Sequence, residues 1–275
     1  MTLITADGVA IEAACEPRDA GAGPPGDAPA IVVAHGFTGS LDRPAVRRVA
    51  RTLTRYGAVV TFSFRGHGRS GGRSTVGDRE VLDLAAAVRW ARTLGHRTVA
   101  TVGFSMGGSV VLRHAALYRP QEDAPQPAPP STGAPAGAEG RAAGGTAGAH
   151  TDAVVAVSAA ARWYYRGTPP MRRLHWVITR PVGRLVSRYG LRTRIHPRDW
   201  DPVPMPPVEA VPLIAPTPLL IVHGDRDPYF PLDHPRSLAA AAGGTAGLWI
   251  EPGLGHAENA VGDALLHRIG AWITG

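Results

Sequence analysis

The 275-residue chain contains no lysine and a single cysteine, Cys15. One thiol rules out both an intramolecular disulfide framework and a cysteine-rich zinc site. Long apolar runs are also missing, and nothing approaches the roughly 18 residues needed for a membrane-spanning helix. The first 15 residues lack a basic stretch followed by a long apolar one, so no secretory signal is expected. These absences make a soluble, cytoplasmic protein the expectation. Aromatic residues are sparse, at 6%, and charged residues make up 19%. Hydrophobic residues reach 44%, enough to bury a core, and the length suits one large α/β domain or two small ones.

All 29 basic residues are arginine, and the net charge is +7. Such an excess points to nucleic acid, anionic lipid or an acidic substrate. No helix-turn-helix, zinc-finger or RNA-recognition signature accompanies it, so nucleic acid is not an expected partner. The arginines are read instead as part of a bias toward Arg, Ala, Gly and Pro that runs through the whole sequence.

Residues 2–5 and 9–14 flank Asp7-Gly8 and predict an antiparallel hairpin. A Gly/Pro loop follows at 21–29. Short apolar runs at 30–34, 58–63, 98–103, 153–157, 219–222 and 247–250 read as strands. Helical patterns lie between or after them at 44–56, 78–94, 106–118, 232–242 and 258–273. Strands that are nearly continuous in apolar residues and alternate with helices predict a mostly parallel sheet covered on both faces.

Two stretches interrupt this rhythm. Residues 120–150 are almost all Ala, Gly, Pro and small polar residues, and are expected to form a disordered loop. Residues 159–215 are rich in aromatics and read as a helical cap inserted into a core made of 1–158 and 216–275. Within the cap, Leu174, Val177, Ile178, Val182, Leu185, Val186 and Tyr189 recur at helical spacing, and Pro181 should divide the helix. That stripe is expected to pack onto the core and line a pocket. Contact with a membrane surface through 171–189 is the weaker alternative.

The strongest chemical signal is Gly103-Phe104-Ser105-Met106-Gly107. It follows a predicted strand and opens a predicted helix, the setting in which a serine is presented on a sharp, strained turn with glycines clearing space around it. A serine hydroxyl needs a base to become a nucleophile. Of the 11 histidines, His256 has the suitable setting, on a Gly-rich loop between the last strand and the last helix. An acid must then fix the imidazole. Asp225 and Asp227 both follow the strand at 219–222. Asp227 is the candidate, and Asp225 is expected to cap its own turn. The loop His35-Gly36-Phe37 leaves the strand at 30–34, and its Phe37 N–H pairs with the Met106 N–H as a candidate oxyanion hole.

These motifs, together with Phe64-Arg65-Gly66-His67-Gly68-Arg69-Ser70, resemble the α/β-hydrolase family. The resemblance is closest to its branch of monoacylglycerol lipases, carboxylesterases and proline-iminopeptidase-like enzymes. It implies an α/β-hydrolase fold with an eight-stranded, mostly parallel sheet and a cap after the sixth strand. It also implies a serine hydrolase that cleaves an ester, thioester or related acyl bond, with Ser105 as nucleophile, His256 as base and Asp227 as orienter. No cofactor or metal is called for, and the expected partner is a small acyl substrate. An acyltransferase or cofactor-free perhydrolase would use the same residues, and a non-catalytic binding protein of this fold is a weaker reading. The 64–70 turn is taken as scaffold. The insertion at 120–150 and the arginine-rich cap depart from the family pattern.

Overall fold

The computed structural model describes residues 1–20, 28–120 and 148–275. Most of the two predicted loops, at 21–29 and 120–150, therefore lies outside the described residues. Eight strands form one sheet: β1 (Thr2–Ile4), β2 (Ala10–Glu16), β3 (Ala30–Ala34), β4 (Ala58–Phe62), β5 (Val99–Phe104), β6 (Ala153–Val157), β7 (Leu219–Gly224) and β8 (Ala246–Glu251). Their spatial order is β1-β2-β4-β3-β5-β6-β7-β8. The β1–β2 and β2–β4 pairs are antiparallel, and every other pair is parallel.

The central strands β3 and β5 are buried along their whole length, as expected where helices cover both faces. One face carries α2 (Glu80–Thr93) and α3 (Met106–Leu117), and the other carries α1 (Pro44–Leu53) and α9 (Asp263–Thr274). In α1 the buried side chains are Val46, Val49, Ala50 and Leu53, a single stripe at helical spacing. The predicted helix at 258–273 is divided into α8 (Ala257–Ala260) and α9, because Val261 and Gly262 take extended backbone between them.

The 64–70 turn is held by Arg65. Its guanidinium, 3% exposed, bonds Asp83 on α2 at 2.8 Å and Asp7 on the β1–β2 turn at 2.7 Å. Burial works against the charge, but the bonds that Arg65 donates to both carboxylates raise the guanidinium pKa above its ordinary value.

Between β6 and β7 the chain forms α4 (Pro169–Thr179), α5 (Pro181–Gly190), the single-turn α6 (Pro207–Ala210) and a 3₁₀ turn at Val211–Leu213. A further helix, α7 (Asp233–Ala241), connects β7 to β8. Pro181 begins α5 because proline at the first helical position forfeits an N–H that has no partner there anyway. The insertion is stitched to the 66–75 loop by backbone bonds from Arg194 to Gly66 and from Ser74 to Arg194. The Trp200 indole adds a bond to Thr75 O at 2.6 Å. Trp200 meets Trp163 at a tilt and Tyr164 edge-on, with ring centroids 5.2 and 5.3 Å apart, which accounts for part of the aromatic concentration.

The predicted stripe on α4 and α5 does not pack as a unit. Leu174 and Ile178 face the interior, but Val182, Leu185, Val186 and Tyr189 are exposed. The reason lies in α5, which buries Gly183 and Ser187 instead.

Candidate active site

Ser105 stands between β5 and α3 with φ 52° and ψ −113°, left-handed backbone that a non-glycine residue adopts at a cost of about 1–3 kcal/mol. The neighbouring glycines make the turn feasible. A Cβ on Gly103 would overlap Gly107 O, and one on Gly107 would overlap Ala34 O. Because these obstacles are backbone, Gly107→Ala is expected to destabilise the protein by about 3 kcal/mol in urea unfolding. Gly190→Ala, with open space around it, should change stability by less than about 0.5 kcal/mol.

His256 arrives on the β8–α8 loop. Its Nε2 lies 2.8 Å from Ser105 Oγ, and its Nδ1 lies 2.7 Å from Asp227 Oδ2. Asp227 Oδ1 accepts the backbone N–H groups of Tyr229 and Phe230 at 2.8 and 3.1 Å. Burial opposes the charge on Asp227, but the His256 bond and charge and the two backbone donors hold its carboxyl below the usual range. An ionised Asp227 can only accept, so His256 Nδ1 carries the proton and Nε2 accepts the Ser105 hydroxyl. The Tyr229 and Phe230 rings flank the imidazole, with centroids at 4.3 and 5.7 Å.

Asp225 differs from expectation. Its Oδ1 accepts the Gly253 N–H at 2.6 Å, so it braces the loop that carries His256 rather than capping its own turn.

The His35-Gly36-Phe37 loop lies beside the serine, since a Cβ on Gly36 would come 3.3 Å from Ser105 Cβ. His35 is buried, with Nε2 accepting the Phe64 N–H at 3.0 Å and Nδ1 bonded to Gly36 O at 2.7 Å. Burial, then the neighbouring His67 and Arg43, pushes its pKa down to about 3, so the ring is neutral. Among the described residues, no protein acceptor is paired with the backbone N–H of Phe37 or Met106.

Two contributors escaped the reading of the sequence. Glu258 is 5% exposed, and its Oε1 accepts the Gly36 N–H at 3.0 Å, tying the His35–Phe37 loop to the helix that follows His256. Ser158, after β6, accepts the Ala257 N–H on its Oγ at 3.1 Å. Ser158, Ala257 and Thr38, like Ser105, are among the non-glycine residues with positive φ.

Two cavities meet at Ser105. The first, of about 290 Å³, runs under the insertion and is walled by Trp163, Tyr165, Met171, Ile178 and Trp200. Trp176, on α4, is exposed and takes no part in this wall. The second, of about 450 Å³, opens on the other side beside Phe37, Val177, Tyr229, His256 and Asn259. His256 borders the second cavity and not the first.

Residues 31–265 match the model of the alpha/beta hydrolase family, and the chain belongs to that family. Among solved structures, it is similar to the esterase Pf2001 of Pyrococcus furiosus at 20% identity and a TM-score of 0.67, over 99% of this chain and 90% of that one. It is also similar to the alpha/beta hydrolase GrgF of Penicillium sp. sh18 at 17% identity and a TM-score of 0.64, over 99% and 96%. A third similar structure is Est1E of Butyrivibrio proteoclasticus with ferulic acid bound, at 19% identity and a TM-score of 0.56, over 100% and 96%. These likenesses extend over the whole sheet and speak for the fold. No curated protein matches the sequence.

Proposed function

We propose that the protein is a serine hydrolase that cleaves a carboxylic ester through an acyl-enzyme. The observation that carries this reading is the unbroken line of bonds from Asp227 through His256 to Ser105. Ser105 Oγ attacks the carbonyl carbon while His256 Nε2 takes its proton, and Asp227 stabilises the imidazolium that forms. The carbonyl oxygen becomes an oxyanion held by the Phe37 and Met106 N–H groups. His256 then returns the proton to the leaving alkoxide as the carbon–oxygen bond breaks. Water repeats the sequence on the acyl-enzyme, releasing the acid and restoring the serine hydroxyl.

The leaving oxygen must lie within reach of His256 Nε2, so the alcohol occupies the second cavity. The acyl chain then extends into the first, whose walls are mainly aromatic and aliphatic. In this reading residues 159–215 act as the cap that selects the acyl group.

A fluorophosphonate probe is expected to label Ser105 stoichiometrically, as peptide mass mapping would show. Label on any other residue would reject the mechanism. A panel of p-nitrophenyl esters beside thioesters and aminoacyl amides should show turnover concentrated on the esters. Turnover confined to amides would reject the ester assignment but not the nucleophile.

A further inference from the structure

From 153 to 198 the chain carries ten arginines and no aspartate or glutamate. On this stretch α5 is packed inside out. It buries Gly183 and Ser187, and Gly183 sits so close to α4 that a Cβ there would come 2.6 Å from Val177 Cα. Its apolar stripe at i, i+3, i+4 and i+7 faces outward: Val182, Leu185, Val186 and Tyr189 are 62%, 55%, 50% and 74% exposed. An amphipathic helix normally turns that stripe to the core. Nothing in the Ser105 site uses these four side chains, and none of them borders either cavity. Arg180, Arg188 and Arg192 lie beside the stripe in sequence, and among the described residues none of them pairs with a carboxylate. Trp176 on the adjoining α4 is exposed as well.

We propose that the outer face of α5 docks on an anionic lipid bilayer, with the helix in the plane of the headgroups. The aliphatic stripe enters the acyl boundary while guanidinium groups bond lipid phosphates. Tyr189 and Trp176 suit the interface, where an apolar ring carries a polar edge. The charge argues for lipid over a second copy of this chain. A symmetric dimer through this face would set arginine against arginine with no acid to separate them. Among the described residues no helix is long and apolar enough to cross a membrane, so the contact is peripheral. This proposal does not depend on the chemistry assigned to Ser105, and its test reads binding rather than turnover.

The test is co-sedimentation of the full-length protein with phosphatidylcholine vesicles, with and without phosphatidylglycerol as half the lipid. Binding to the anionic vesicles is expected to exceed binding to the neutral ones by about tenfold and to weaken with added salt. The variant Leu185→Ser/Val186→Ser/Tyr189→Ser, and separately Arg180→Gln/Arg188→Gln/Arg192→Gln, should each lose about tenfold in binding. Both should keep the unfolding transition of the parent. The single variant Tyr189→Ser keeps the test informative if the triple variant misfolds, and it should lose part of the binding. Equal binding to both vesicle types, no binding at low salt, or binding untouched by the variants would overturn the proposal. A dimer in sedimentation velocity that dissociates in the serine variant, without vesicle binding, would assign the face to a second copy and overturn it too.

Discussion

Ser105→Ala is expected to lower kcat for p-nitrophenyl acetate by roughly 10⁵-fold or more, with the fold intact. On the proposed mechanism the size follows from the concerted role of the three residues. Without the oxygen that attacks, the proton relay through His256 has nothing to move, and only binding and the oxyanion donors remain. Asp227→Asn should cost roughly 10³–10⁴-fold, because an amide in place of the carboxylate leaves the imidazolium without its counter-charge and permits the wrong tautomer. Combining both changes should add little to the serine variant alone, since residues acting as one unit are not additive. Far-ultraviolet circular dichroism and the unfolding temperature provide the control. A serine variant that retains a hundredth of the activity would remove Ser105 from the mechanism.

Stability is expected to fall steeply below about pH 6.5. His35, His114 and His234 are fully buried, and burial pushes their pKa values down to about 3, 3 and 4. In the unfolded chain each titrates near 6.5, so below that pH the unfolded state binds protons that the folded state does not. The sign is therefore destabilising as pH falls from 6.5 toward 4, at about 1.4 kcal/mol per pH unit for each ring. Asp83 acts in the opposite sense, because burial pushes it up to about 7 against the pull of Arg65 and the folded state takes up one proton there. Two histidines remain uncompensated, which leaves roughly 3 kcal/mol per pH unit near pH 5. Between pH 6.5 and 4 this removes about 7 kcal/mol, about half or more of the roughly 5–15 kcal/mol that a domain holds in reserve. Urea midpoints should be level between pH 7 and 8 and drop sharply below 6.5. A flat profile down to pH 4.5 would contradict burial of neutral imidazoles.

Local sequence features account for much of this architecture. The apolar runs at 30–34 and 153–157 coincide with β3 and β6 because a strand buried on both faces admits little else. The need for Gly103 is equally local, since a Cβ there would meet the backbone of Gly107, whereas the space that Gly107 clears is filled by Ala34 and His35 at the end of the distant β3. Contacts across the chain leave no such trace. Glu258 bonds Gly36 from 222 residues away, and nothing in either neighbourhood announces it. Asp225 reaches Gly253 in the same non-local way. Periodicity located the stripe on α5 but not the direction it faces, which is set by the small residues at 183 and 187 fitting against α4. The break between α8 and α9 rests on two residues of extended backbone, too short an interruption to disturb the surrounding apolar pattern.

The one-sided position of His256 also orders the events after acylation. On the proposed route the alcohol departs first, vacating the 450 Å³ space that the imidazole borders. Whatever next fills that space is the acceptor from which His256 can draw a proton. Water there completes hydrolysis, while a second alcohol lodged between Tyr229 and Asn259 would capture the acyl group as a new ester. Hydrolase and transferase outcomes thus become a competition for occupancy of a single compartment. Their ratio should respond to the wetness of its walls, with the three reacting residues left as they are.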